Sequence, residues 1–144
     1  MRYIFIILLM FFSQVFGEES TPTQALDNFI ALFNDENLDG LNQVSNAPWF
    51  TMVNGDSNSF SRYSDMVDFE GLKKTGWSYS RVENIDVQHN DGETAFVKAF
   101  LERLDKSDQV IFGGEIIFIF ARSDNEWKIA GWISSGNKDL PLGK

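Results

Sequence analysis

Three stretches near the C-terminal end place apolar side chains at the spacing of two that strands require: Thr94–Leu104, Val110–Arg122 and Glu126–Ser135. Asp105–Asp108 and Ser123–Glu126 lie between them as short polar turns. Long strands joined so tightly form an antiparallel meander, and such a meander twists strongly. Trp77–Gln88 is a further strand with a mixed pattern that leaves room for a bulge, and Asn90-Asp91-Gly92 is a hairpin turn joining it to the other three.

Upstream the period changes. Thr21-Pro22-Thr23-Gln24 carries a capping Thr, a Pro suited to the first helical position and a Gln that closes a capping box. Leu26, Phe29, Ile30 and Phe33 follow as one apolar stripe, so a helix runs to about Asn34–Glu36. Leu38, Leu41 and Val44 predict a shorter second helix, closed by Pro48. Trp49–Asn54 reads as a strand, Gly55–Asn58 as a turn and Phe60–Tyr63 as a returning strand. Ser64 or Asp65 caps a third helix through Met66, Val67, Phe69 and Leu72, which Gly76 ends. The expectation is an α+β domain: three helices in the N-terminal half, packed on a strongly curved, mostly antiparallel sheet of about six strands.

The turns suggest a register. With Leu104 opposite Gln109, one face carries Ala95, Val97, Ala99 and Leu101 against Phe118, Ile116, Gly114 and Phe112. The second turn adds Ile129, Gly131 and Ile133, and this face should meet the helices. The opposite face carries Phe96, Phe100, Ile117, Ile119 and Trp132 around a cross-strand Lys98–Glu115 pair. That is too apolar to stand in water, so a homodimer packed through it is expected, with cover by the C-terminal tail as the alternative. Gly113-Gly114 is the weak point, because a one-residue slip there exchanges the faces.

Composition changes the picture at the ends and on the surface. Arg2, the apolar run Ile4–Phe12 and Ser13–Gly17 have the form of a secretory signal cut before Glu18, too short an apolar run to span a bilayer. Residues 1–17 are therefore read as a signal peptide and 18–144 as one domain, periplasmic or secreted. The chain has no cysteine, which excludes disulfides, thiolate metal sites and a lipoprotein anchor. A net charge of −9 argues against nucleic acid and against anionic membranes once the signal is removed.

Several short motifs, in their order and spacing, resemble the SnoaL-like, nuclear-transport-factor-2-like superfamily. They are Phe33–Leu41, with its polar helix break and Asp-led second helix, Gly76-Trp77-Ser78, Asp91–Ala95 and Glu126–Ile129. The resemblance covers essentially the whole chain after the signal. It implies a cone-shaped, cystatin-like fold, with three helices closing a curved sheet around a cavity, often dimeric through the sheet. It implies no single function, since the superfamily includes isomerases, hydratases, hydrolases, ligand binders and non-catalytic partner domains.

Catalysis in such a cone needs an acid or base pointing inward. The inward set read from the last three strands is hydrocarbon and aromatic throughout. His89, beside the Asn-Asp-Gly turn, and Glu115, if the glycine bend turned it inward, are the weak catalytic candidates. Asp35–Gly40 opens like a calcium loop, but Asn46 stands where the bidentate Glu belongs, so no metal is expected. No cofactor is expected either. Trp49, Tyr63, Trp77 and Tyr79 are candidates for the wall of a pocket for an apolar or aromatic small molecule, with Arg81 to hold an acid group on it. Plain core packing is the alternative for each ring. The reading is an exported small-ligand-binding or partner-binding domain; the alternative is a small-molecule isomerase, hydratase or hydrolase using an acid or base in the cone cavity.

Overall fold

The capping box at Thr21 forms as its residue types require: Thr21 Oγ1 accepts from Gln24 N at 3.2 Å, and Thr21 N donates back to Gln24 Oε1 at 2.8 Å. It starts helix α1, Pro22–Asn34, in a computed structural model that describes residues 20–134. The proposed signal, Ser135 and the polar tail after Gly136 lie outside the described residues. Asn37 caps the short helix α2, Leu38–Gln43, and Asp68 caps α3, Phe69–Lys74, each accepting from the backbone N–H three residues on. Six strands follow the expected order: β1 Ser45–Val53, β2 Asp56–Phe60, β3 Tyr79–Asn90, β4 Thr94–Leu104, β5 Val110–Ser123 and β6 Glu126–Ser134.

The sheet runs β2-β1-β6-β5-β4-β3, antiparallel except where β1 lies parallel to β6. The last four strands are the meander that the alternation predicts. Extra residues interrupt the ladders near Asn84, at Gln88, at Ile111 and at Ala130. Each such bulge bends its strand and increases twist, so together they curl the sheet over α1. This is the mostly antiparallel α+β cone expected from the sequence.

Three local expectations are corrected. Pro48 does not close α2; it sits within β1, which begins at Ser45. Tyr63 is not in a strand, because β2 ends at Phe60 and Tyr63–Asp65 forms a single 3₁₀ turn. The β4–β5 turn spans Asp105–Gln109, so Ala95 pairs with Phe120 rather than Phe118. That slip is an even number of residues, and the faces of β4 and β5 stay as assigned.

The face change occurs elsewhere. Ala130 bulges out of β6, so that Ile129 pairs with Phe120 while Trp132 pairs with Phe118. Beyond the bulge, odd and even positions exchange sides. Trp132, expected on the outer face, points into the core at 5 % exposure. The glycine pair Gly113-Gly114 stays in register, facing Glu102 and Leu101.

Candidate functional site

The inner face of the sheet and one side of α1 enclose an aromatic core in two groups. Phe29, Trp49 and Tyr63 form the first; the Tyr63 ring meets those of Trp49 and Phe29 edge-on at 4.9 and 5.2 Å. Phe33, Phe69 and Trp77 form the second, with Phe33 at 5.0 Å from Phe69 and 5.4 Å from Trp77. Such pairs each add about 0.5–1.5 kcal/mol beyond their burial. Both indoles are satisfied in place: Trp49 Nε1 donates to Met66 Sδ, and Trp77 Nε1 donates to Ser80 Oγ at 3.0 Å. Asn34 fastens α1 to the sheet at this level, donating to Ser80 O at 2.8 Å and accepting from Ser80 N at 2.7 Å.

Between these groups lies a cavity with about 40 Å³ of room for the centres of water molecules. That volume suits about three waters, far short of a pocket for a drug-sized molecule. Helix α1 contributes Phe29, Ile30 and Phe33, the 3₁₀ turn contributes Tyr63, and Met66 follows it. The sheet contributes Leu101, Ile116, Phe118 and Trp132, together with two polar residues, Ser80 and Arg103. No Asp, Glu or His lines the cavity among the described residues.

Arg103 overturns the expectation of a purely apolar interior. It continues the inward series Ala95, Val97, Ala99, Leu101 by one more step of two, and it is 5 % exposed. Ser80 of β3 and Phe112 of β5 are its direct neighbours across the two ladders. Its guanidinium lies 5.9 Å from the ring centre of Phe33 and 6.0 Å from that of Phe112, so two aromatic rings hold the cation. Burial pulls its pKa down to about 10, against a smaller opposing effect of Tyr63, so it is still charged at neutral pH. Burial likewise pushes the Tyr63 phenol above its ordinary value, outweighing the nearby Arg103 charge, so Tyr63 is a neutral hydroxyl. The cavity therefore offers a cation and two hydroxyls within hydrocarbon walls, and among the described residues it offers no proton acceptor tuned for catalysis.

The other sequence candidates are distributed differently. Of the proposed pocket residues only Tyr63 lines the cavity. Trp49 and Trp77 are packed behind it, 0 % and 4 % exposed, and fill the space a ring-bearing ligand would need. Tyr79 donates to Asp108 at 2.8 Å on the surface, which raises its pKa, and Arg81 pairs with Glu102 at 2.6 Å on the outer face. Neither reaches the cavity, because Ser80 between them takes the inward position. Glu115 faces outward, 3.4 Å from Lys98, and pairs across the ladder with Phe100 rather than with Lys98. His89 is exposed, with Nε2 at 3.3 Å from Asp91 and its ring beside Phe96. Neither Glu115 nor His89 can reach a molecule in the cone. Phe96, Lys98, Phe100, Ile117 and Ile119 do share the outer face, and none of them is buried.

The chain belongs to a family of NTF2-like proteins (DUF6841), whose profile matches residues 20–137. Among solved structures it is similar to an NTF2-like protein of unknown function from Shewanella oneidensis, at 16 % identity over 78 % of this chain and 94 % of that one, TM-score 0.60. A second, also an NTF2-like protein of unknown function, comes from Pseudomonas putida: 14 % identity, 88 % and 91 % coverage, TM-score 0.63. A third is a protein with a cystatin-like fold from Nostoc punctiforme: 10 % identity, 83 % and 91 % coverage, TM-score 0.61. At such identities the likeness is one of fold. No curated protein matches the sequence.

Proposed function

We propose that this NTF2-like domain is an exported, non-catalytic binder of one compact small molecule, held in the cone cavity, and that it works as a homodimer packed through the outer face of its sheet. The observation that carries the reading is the cavity wall. It supplies hydrogen-bond donors in Arg103, Tyr63 and Ser80 against apolar surroundings, but no carboxylate or imidazole among the described residues. Such a site orients a ligand and has nothing positioned to move its protons. Among the described residues an isomerase or hydratase mechanism finds no general base there, since a buried phenol with a raised pKa keeps its proton.

The dimer reading rests on Phe96, 39 % exposed, with Phe100, Ile117 and Ile119 beside it on the outer face. Export rests on the N-terminal pattern of residues 1–17. Native mass spectrometry of protein purified from its own host tests these points together. The expected result is a dimer starting at Glu18 with a small non-covalent adduct. A strict monomer removes the dimer, a chain retaining residues 1–17 removes export, and turnover of an adduct removes the non-catalytic reading.

A further inference from the structure

We infer that residues 61–68, between β2 and α3, are the movable wall of the cone cavity, latched to α2 by Asn42 and Ser64, and that the bound molecule enters when this wall swings out. This rests on the ligand-binding reading above and gives that site its route of entry.

A site so deep needs a wall that yields. Every residue lining the cavity is buried except Ile30, which is half-buried. Most of the wall is held by extended hydrogen bonding. Phe29, Ile30 and Phe33 sit on the thirteen-residue helix α1, which Asn34 fastens to Ser80. The lining residues of the sheet belong to β3, β4, β5 and β6, which are zipped into continuous ladders. Moving any of these breaks a row of hydrogen bonds together. Tyr63 and Met66 are the exceptions. Tyr63 belongs to a single 3₁₀ turn, and residues 66–68 are in neither helix nor strand. A segment outside the ladders opens at lower cost than the elements around it.

The turn is built to move as one piece. Asp65 accepts from the backbone N–H of Arg62 and from its Nη2, both at 3.1 Å, and so closes the turn on itself. Its tie to α2 is a reciprocal pair. Asn42 Nδ2 donates to Ser64 Oγ at 3.1 Å, and Asn42 Oδ1 accepts from Ser64 N at 3.0 Å. On the inner side Tyr63 meets Trp49 and Phe29 edge-on, and Met66 Sδ accepts from Trp49 Nε1 at 3.2 Å. A thioether is a weak acceptor, so packing rather than hydrogen bonding keeps this side shut. Swinging the segment outward withdraws a phenol ring and a thioether from the wall. Their volume is then added to the room for about three waters that the closed cavity offers. The same motion leaves the Trp49 indole N–H without its acceptor, whereas Trp77 Nε1 keeps its bond to Ser80 on β3.

The test is hydrogen exchange of the Trp49 and Trp77 indole N–H groups in the full domain, followed by NMR. In the natural protein Trp49 is expected to exchange faster than Trp77, at a rate that low urea leaves unchanged, as local opening requires. Asn42→Ala removes both latch bonds and should speed Trp49 exchange by about tenfold or more; Ser64→Ala removes one and should do less. Trp77 should be unmoved in both. Equal acceleration of the two indoles means global unfolding and overturns the gate. Should Asn42→Ala fail to fold, Ser64→Ala and the natural protein decide, and Trp49 exchanging no faster than Trp77 overturns it. Xenon, small and apolar, is then dissolved under pressure and its entry read on the Leu101 and Ile116 methyl signals. Entry should quicken in Asn42→Ala by the same factor as the Trp49 exchange. Entry at an unchanged rate overturns the gate and leaves the ligand-binding reading standing. If xenon moves neither methyl signal, the cavity is not a binding site and the entry route falls with that reading.

Discussion

Gly131 of β6 lies against Phe50 of β1, and replacing it by Ala tests the register between these two strands. A Cβ built on Gly131 lies 2.3 Å from the backbone oxygen of Phe50 and 2.7 Å from Cδ1 of its ring. Real Cβ contacts stay beyond 3.0 Å, so the Phe50 carbonyl has to retreat. Phe50 is the parallel partner of Gly131 and the antiparallel partner of Ser59, so its retreat disturbs two ladders at once. One weakened ladder bond costs about 0.5–1.5 kcal/mol, and a buried group left without its partner adds about 1–3 kcal/mol. Overpacking on this scale adds a similar amount, so Gly131→Ala should destabilise by about 3 kcal/mol and lower Tm by about 10 °C. Gly113→Ala is the matched control. Its Cβ meets the far end of the Phe100 ring at 3.1 Å, which can swing aside, and Val110 Cγ1 at an ordinary 3.8 Å. It should lower Tm by less than about 3 °C. Thermal unfolding followed by far-UV circular dichroism measures both. Equal, small effects at the two sites would refute the β1–β6 register.

Asn34→Ala removes both hydrogen bonds to the Ser80 backbone and leaves that buried N–H without its acceptor; a loss of about 1–3 kcal/mol in urea unfolding is expected, and an unchanged midpoint would show that α1 is not fastened there. Asp91 accepts from the N–H groups of Thr94 and Glu93, which pulls its pKa down to about 2. Its contribution is complete above about pH 4 and is lost as pH falls towards 2, so Asp91→Asn should flatten the acid arm of the stability–pH profile, and identical acid arms would contradict the turn geometry. Tyr63 has a raised pKa, so its contribution is present below about pH 10 and is lost as pH rises above that value, while Arg103, whose pKa is lowered, acts in the opposite direction over the same range. Tyr63→Phe keeps the ring contacts and should reduce the loss of stability above pH 10; an unchanged alkaline arm would mean that the phenol is not buried.

Much of the fold was legible because short-range patterns carry it. The 3.6-residue stripe Leu26, Phe29, Ile30, Phe33 and the Thr21 capping box specify α1, and alternation specifies β4 within its observed limits. An even slip between β4 and β5 leaves the outer face intact, so Phe96, Phe100, Ile117 and Ile119 share it as the alternation requires. Arg103 was also within reach. One more step from Leu101 along the same alternation puts it inside; its charge argues for the surface, and only the rings of Phe33 and Phe112, brought together from different elements, make the buried position tolerable.

By itself, then, the sequence determined the kind and order of the elements, since these depend on propensity, caps and periodicity over a few residues. The tertiary structure alone decided three things: the parallel docking of β1 on β6, the bulge at Ala130 that turns Trp132 into the core, and which rings fill the cone and which merely line what is left. A bulge is one unpaired residue with no compositional mark, and a parallel pairing joins segments some eighty residues apart. Both are settled by the packing of whole faces against one another, and that is a property no local window of the chain contains.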